Sequence, residues 1–340
     1  MMEKLLTIVV PSYNAEKYLR NCLDSLCVEE VLPRLDILVI DDGSTDSTAG
    51  IASEYAARYP ASVRVISKEN GGHGSGINRG IREARGKYFK VVDSDDWVDP
   101  KALTRLVWAL ETQAADIVWS GFLWAYDRGE NDRSQFATKA EIPVPFKGVE
   151  YGKIYRFDDL ADHLYIKMHN LTIRTKILQE HAITVDEHCF YVDTEYIIYP
   201  IPCVETISFI RDFVYHYRIG SEGQSVGIEK MQRNEGHYRT VIHSCLRFYG
   251  KLGNCIPCTE AKRRYIAGII ARAVAGRCKI LLSLPASADG RRRMASFDRK
   301  LREAYPEVYR ANINLAVKGL RLTAYRIWPV VSAMVKWKYQ

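Results

Sequence analysis

The stretch Tyr88-Phe89-Lys90-Val91-Val92-Asp93-Ser94-Asp95-Asp96-Trp97-Val98-Asp99-Pro100 decides how this chain is read. Its apolar-leaning start, Tyr88, Phe89, Val91 and Val92, reads as a strand that empties into Asp93, Ser94, Asp95 and Asp96. Three carboxylates within four residues repel one another. A bound cation relieves that repulsion most simply, and hard divalent ions such as Mg²⁺ or Mn²⁺ take oxygen ligands of this kind. A solvated acidic loop that caps the next helix is the plainer alternative. It explains Asp99, an N-cap followed by proline at the first helical position, but not Asp93 or Asp95.

Upstream, the same strand-then-polar-loop unit recurs. Leu5 to Val10 is a short apolar run closed by Pro11, Ser12, Tyr13 and Asn14, and Tyr18, Leu19, Cys22, Leu23 and Leu26 then follow at helical spacing. Asp36 to Ile40 reads as a second strand, Asp41 to Asp46 as a polar turn, and Ser47 to Tyr59 as a helix capped by Asp46 or Ser47. Val63 to Ile66 reads as a third strand, followed by the loop Asn70 to Gly74 and a helix carrying Asn78, Arg79 and Gly80. Strands alternating with helices at this spacing imply βαβ units and a parallel sheet. Open parallel sheets bind ligands at the carboxyl ends of their strands. Tyr13 and Asn14, Asp41 and Asp42, the glycine loop, and Asp93 with Asp95 would then line one crevice. The glycine loop lacks the spacing of a Walker loop or a dinucleotide fingerprint.

Length and composition set the outer bounds. At 340 residues and 47% hydrophobic, the chain can bury a substantial core in one large domain or two. It has no uncharged apolar run long enough to span a bilayer, and its first ten residues do not read as an export signal. A cytoplasmic protein, free or peripheral on the cytoplasmic face of a membrane, is therefore the expectation. The eight cysteines are scattered and read as reduced thiols, and Cys255 with Cys258 is a lone CxxC without a second ligand pair. The net charge of +7 conceals an asymmetry: residues 231–340 hold 22 Lys+Arg against 6 Asp+Glu, leaving 26 against 35 in residues 1–230. A basic tail on an acidic body points to an anionic partner. No zinc-finger pattern or nucleic-acid motif occurs in 231–340, so no nucleic acid is expected.

With these residues assembled, the first hundred positions resemble the nucleotide-binding half of a family 2 glycosyltransferase of the GT-A fold. The pieces are Val9 to Asn14, Val39 to Asp46, Asn70 to Gly72, and Asp93 to Asp96. The resemblance implies an α/β fold, with a mostly parallel Rossmann-like sheet flanked by helices and a basic α-helical C-terminal region. It implies that Pro11, Tyr13 and Asp41 hold the base and ribose of a nucleotide-sugar, with Asp42, Lys68, Asn70 and Gly71 nearby. Asp93, Ser94 and Asp95 match the family's DxD segment, in which the first carboxylate contacts ribose or metal and the last coordinates Mn²⁺ or Mg²⁺ bridging the donor diphosphate. Asp96 stays ambiguous, with the acceptor side one orientation open to it.

Downstream the resemblance loosens. Asp116 to Phe122 reads as another strand, Arg128 to Pro145 as polar and irregular, and Tyr165 to Leu178 (with Lys167, His169, Asn170 and Arg174) resembles the family's acceptor-side segment. At Phe190 to Tyr196, family members often carry Glu-Asp. This chain has Val192 where the Glu is common but keeps Asp193, implied to be the base that deprotonates the acceptor hydroxyl, with Glu195 and Glu187 as fallbacks. Tyr215 to Arg218, followed by Ser221 and Ser225, resembles the segment closing such a site beside the diphosphate, with His216 a metal candidate and Arg218 a binding candidate.

The expected organisation is a catalytic domain over 1–230, divided into nucleotide-sugar binding (1–115) and an acceptor and base half (116–230), then a basic helical region over 231–340. In that region Tyr238 to Tyr249 and Ala261 to Leu284 have helical spacing. Leu315 to Tyr339 mixes leucine and tryptophan with lysine and arginine, a pattern suited to an anionic membrane surface, and Pro329 should kink or divide it. The function implied is inverting, metal-dependent transfer from a nucleotide-sugar, a UDP-sugar first, to a glycan or lipid-linked acceptor in surface polysaccharide synthesis. A homodimer is compatible with this. The alternatives are a non-catalytic scaffold binding nucleotide-sugar or anionic lipid, which Val192 encourages, and a nucleotidyltransferase, which the Pro11 to Asn14 loop disfavours.

Overall fold

The computed structural model describes residues 3–127, 136–220, 227–285 and 287–338. Its backbone groups into two units, Met1–His188 with Cys203–Gln224, and Cys189–Pro202 with Ser225–Gln340.

The first unit opens as alternating strands and helices: β1 (Leu6–Ser12), α1 (Leu19–Leu26), β2 (Leu35–Asp41), α2 (Thr48–Arg58), β3 (Val63–Ser67), α3 (His73–Glu83) and β4 (Tyr88–Val91). Then come β5 (Trp97–Val98), α4 (Pro100–Thr112), β6 (Ile117–Tyr126), β7 (Ala137–Ala140), β8 (Ile154–Arg156), α5 (Phe157–Leu160), β9 (Leu171–Arg174), α6 (Thr175–Glu180) and β10 (Thr206–Ile219). One sheet runs β3-β2-β1-β4-β9-β6-β10-β5, with β7 on β6 and β8 on β10. The first four strands are parallel, as are β6 and β10. The inserted β9 pairs antiparallel on both sides.

β1 and β2 are buried along their whole length. Strands covered on both faces read as continuous apolar runs rather than alternating ones, which is why the sequence pattern was so plain. Leu19, Leu23 and Leu26 of α1 pack with Leu103, Leu106 and Leu110 of α4 on the core that lies along β1 and β2. Each such side chain, fully removed from water, contributes about 1.5–3 kcal/mol. Asp99 caps α4 as its sequence foretells, its carboxylate accepting from the Ala102 N–H at 2.7 Å.

At the end of the sheet away from the polar loops, Arg64 grips Asp36 through two bonds of 2.8 and 2.9 Å, and Asp36 also accepts from the Thr7 hydroxyl. Thr7 in turn accepts from the Gly86 N–H at 2.8 Å.

The second unit is helical: α7 (Asp193–Ile198), α8 (Ile228–Arg233), α9 (Glu235–Lys251), α10 (Glu260–Ser283), α11 (Ser287–Ala304), α12 (Pro306–Arg310), α13 (Leu315–Leu322) and α14 (Trp328–Lys338). Part of its basicity is structural. Buried Glu235 pairs with Arg277 at 2.7 Å and with Arg293, and buried Asp298 takes Arg321 by both oxygens and the Tyr325 hydroxyl. The C-terminal stretch is divided as expected, but not by Pro329. The break falls at Ala324 and Tyr325, whose φ of 46° and 64° is left-handed, while Pro329 sits in the first turn of α14, where a missing N–H costs nothing. No helix among the described residues is long and apolar enough to cross a membrane.

Gly86 lies where β4 starts beside β1, and a Cβ there would come within 2.4 Å of the Thr7 nitrogen. Gly86→Ala should therefore lower stability by roughly 1–3 kcal/mol through overpacking, read as a reduced denaturation midpoint at unchanged slope. An unaltered midpoint would mean the strands can part at no cost.

Candidate active site

The polar loops follow β1, β2, β3 and β4 at one edge of the parallel sheet. After β1, Tyr13 is half exposed and Asn14 takes a left-handed φ of 49°. That turn lets the Asn14 side chain accept from the Thr45 N–H at 2.9 Å while its own N–H donates to Ser44 at 3.0 Å. Pro11 and Ser12 are buried at the end of β1. The first two loops are thus bonded to each other, with Asp41 between them accepting from the Ser44 N–H at 3.1 Å.

Asp42 organises the third loop. Its buried carboxylate accepts from Lys68, from the Gly71 N–H at 3.0 Å, the Gly72 N–H at 2.8 Å and the Ser75 hydroxyl at 3.1 Å. Lys68 also donates to the Glu69 carbonyl and to Ser75, so the three protons of its ammonium all have acceptors inside the protein. Asn70 bonds the Asp42 carbonyl at 2.9 Å. In this geometry Asp42, Lys68 and Asn70 fix the shape of the glycine loop. Gly74 is needed because a Cβ there would sit 2.1 Å from the Asp186 carbonyl. Asn78 of α3 holds the same downstream segment, bonding Val185 twice at 2.9 Å and Glu187 once at 2.9 Å.

The loop aims α3 so that His73, its first residue, meets Asp93 at 2.8 Å. Burial opposes ionisation of Asp93, but the neighbouring imidazole outweighs it and holds the carboxyl below its ordinary range. Asp96 behaves oppositely. It is 1% exposed, accepts from the Tyr215 hydroxyl at 2.5 Å and the Arg218 N–H at 2.7 Å, and is pushed well above the usual range by burial and by the charges of Asp95 and Asp93. Asp96, which the sequence leaves ambiguous, is thus buried and held by two donors.

Side chains on β10 alternate between two sides. Tyr215 and Tyr217 pack against His169, with ring centroids 4.7 and 4.6 Å away. His216 and Arg218 lie against Trp97, His216 stacked at 5.3 Å and Arg218 between the Trp97, Tyr18 and Phe136 rings. Arg218 further donates to the Asp95 carbonyl and to Asp127, both at 2.9 Å. Among the described residues, Asp93, Asp96 and His169 group as ligands could, one ligand atom from each lying within 4.8 Å of the others. Neither Asp95 nor His216 belongs to that group. Ser94 is partly buried between the two carboxylates, and Ser221 and Ser225 lie outside the described residues.

The donor set suits a divalent cation. Buried His169 is lowered to about 3, chiefly by burial, so its imidazole is neutral, and its Nδ1 has no hydrogen-bond partner among the described residues. Two carboxylates and one neutral imidazole are hard-to-intermediate ligands, and ions bound at about 2.1 Å hold ligands at most about 4.2 Å apart.

Sequence reading missed His73, His169 as a ligand, Tyr215 and Lys90. Lys90 is wholly buried on β4, donating to the His169 carbonyl at 2.8 Å and the Leu171 carbonyl at 3.4 Å. Its position in an apolar run was the only available signal. Asp193, the expected base, is the first residue of α7 in the second unit, where it follows Val192 and precedes fully buried Glu195.

A family model described as "Glycosyl transferase family 2" matches residues 7–181. The uncharacterized glycosyltransferase EpsJ of Bacillus subtilis is 28% identical over 272 residues, 78% of this chain and 75% of that protein. A poly(ribitol-phosphate) beta-glucosyltransferase of Bacillus spizizenii is 27% identical over 66% of this chain, which spans only 33% of it. In fold, the chain is similar to S. aureus TarS 1-349 solved in complex with UDP-GlcNAc, with a TM-score of 0.67 at 18% identity, covering 98% of this chain and 91% of that one.

Two outcomes follow from the geometry. Asp42→Asn removes the charge that Lys68 and two loop N–H groups converge on, and should cost about 3 kcal/mol in denaturant unfolding while weakening nucleotide binding; full stability would show the loop is held by other contacts. Lys90 is lowered by burial to about 7, so the unfolded chain binds its proton more tightly and the Lys90 contribution to stability should grow as pH rises from about 7 to about 9. Metal-free Lys90→Met should flatten that part of the Tm profile, whereas parallel profiles would refute it.

Proposed function

This chain belongs to glycosyl transferase family 2, and on that premise we propose that it transfers a sugar, with inversion, from a UDP-sugar to a hydroxyl of a glycan or lipid-linked acceptor in polysaccharide synthesis. The single observation that carries the reading is the Asp93, Asp96 and His169 grouping beside a preformed glycine loop at the ends of parallel strands. TarS is described with UDP-GlcNAc, which supports a nucleotide-sugar donor, and the poly(ribitol-phosphate) beta-glucosyltransferase supports a polymer acceptor.

In the proposed site Tyr13, Pro11 and Asp41 receive the nucleoside. Asn70, Gly71, Asp42 and Lys68 keep the adjoining loop in shape. Asp93, Asp96 and His169 would hold Mn²⁺ or Mg²⁺, with Asp95 and Ser94 completing the turn. A divalent cation, when bound, neutralises the charge that collects on the diphosphate as the glycosidic bond breaks. Arg218 fixes the backbone of Asp95 and the position of Asp96, which keeps the acidic turn in place. His216, on the Trp97 side, is assigned to the wall of the site. Asp193 is proposed to take the proton from the acceptor hydroxyl as it attacks the anomeric carbon. Residues 1–115 then serve the donor and 116–230 the acceptor and base, leaving 231–340 outside the chemistry.

The test separates donor from base. UDP- and GDP-sugars screened by thermal shift with and without Mn²⁺ should show metal-dependent stabilisation by a UDP-sugar, and His169→Ala should remove the metal dependence. Asp193→Asn should retain that stabilisation and lose transfer by about 10²–10⁴-fold. Undiminished transfer would pass the role of base to Glu195 or Glu187, and stabilisation indifferent to Mn²⁺ would remove the metal.

A further inference from the structure

The C-terminal helices α13 and α14 are apolar on faces that the protein does not cover. Among the described residues, the most exposed large hydrophobic side chains in the chain all fall here: Leu322 at 87%, Leu315 at 84%, Trp337 at 81%, Met334 at 65% and Ile313 at 63%. Their spacing is regular. Val330, Met334 and Trp337 recur at i, i+4 and i+7 along one face of α14, and Leu315 and Leu322 stand seven apart on α13.

Each helix already has a buried face. Trp328 and Ser332 of α14 are buried, Ser332 donating to the Leu282 carbonyl of α10 at 2.6 Å, and Val317 and Leu320 of α13 are buried likewise. A helix docked on its own unit ordinarily turns polar residues outward. These two turn leucine, methionine and tryptophan outward, and large apolar side chains recurring on the outer face of a helix mark a place of interaction.

The charge of the segment selects the partner. Residues 311–340 contain no Asp or Glu but five basic residues, Lys318, Arg321, Arg326, Lys336 and Lys338. Arg321 is occupied by Asp298, while Lys318 and Arg326 are exposed. Lys318 lies three residues from Leu315 and four from Leu322, so one stripe carries apolar and cationic groups together. An apolar protein partner would supply no counter-charge for it. A bilayer rich in anionic lipid supplies both an apolar layer for Leu315, Leu322, Val330, Met334 and Trp337 and a negative surface for Lys318 and Arg326, and tryptophan favours that boundary. α14 spans only 11 residues, too short to cross the bilayer, so the helices would lie in its plane.

We propose that the outward faces of α13 and α14 form a docking surface for an anionic membrane, holding the enzyme peripherally at a bilayer. This proposal does not depend on the donor or base assignments. The alternative occupant of such a face is a second copy of this chain.

The full chain should co-sediment with vesicles of phosphatidylglycerol and phosphatidylcholine, poorly with phosphatidylcholine alone, and less as salt is raised, because screening shortens the reach of the lysine and arginine charges. The variant L315S/L322S/M334S/W337S changes only exposed side chains and should keep the wild-type melting profile and UDP-sugar stabilisation while losing at least tenfold in vesicle recovery. Lys318→Glu with Arg326→Glu should lose recovery from anionic vesicles alone. Equal recovery of wild type and the serine variant, or no recovery of wild type, overturns the proposal. So does light scattering that shows a vesicle-free dimer abolished by the serine substitutions, which would make the face a self-interface.

Discussion

Three carboxylates crowded at the end of β4 are the constraint to which the rest of the first unit answers. Asp93, Asp95 and Asp96 cannot share a partly buried turn as bare charges, and the neighbours that relieve them come from three separate places in the chain. α3 brings His73 to Asp93, and β10 brings the Tyr215 hydroxyl and the Arg218 N–H to Asp96. The turn before β9 adds the neutral imidazole of His169. One carboxyl is held below its ordinary range and another pushed far above it, so the two are electrostatically inequivalent although three residues apart. A cation between them would favour ionisation of both.

The glycine loop is the second half of the same arrangement. α3 can point His73 at Asp93 only if the loop before it is fixed, and Asp42 fixes it by accepting from Lys68, two backbone N–H groups and Ser75. A residue expected among the nucleotide ligands thus has a structural task that consumes its carboxylate. Lys68 is similar, its ammonium spent on internal acceptors. In the proposed site they would act on a donor through the shape of the loop.

Two properties of unlike origin are joined in this chain. The edge that carries the polar loops is acidic and cross-bonded, whereas α13 and α14 are basic and apolar on the side that faces solvent. On the proposed function, transfer from a water-soluble nucleotide-sugar to an acceptor at a lipid surface would use both. In the helical unit Glu235 and Asp298 take Arg277, Arg293 and Arg321 as internal partners, three of the 22 lysines and arginines of residues 231–340.

The sequence by itself determined the alternating strands and helices through Val91 and the acidic turn, because each apolar strand is short and closed by polar residues, and β1, β2 and β4 are buried on both faces. It also determined the Asp99 cap, since capping is a local property, but it put the C-terminal division at Pro329 and not at the left-handed Ala324 and Tyr325. Tertiary structure decided which side chains meet. His73, His169 and Tyr215 lie 20, 76 and 122 residues from Asp93, and no local pattern reports that the antiparallel insertion of β9 and the parallel pairing of β10 with β6 bring them to one turn. Nor does it report that strand alternation sends His216 to the Trp97 side and Tyr215 to the His169 side. The reason is physical: secondary structure follows from a residue's near neighbours, whereas the pairing of charges and ligands follows from strand order and register, which only the folded sheet fixes.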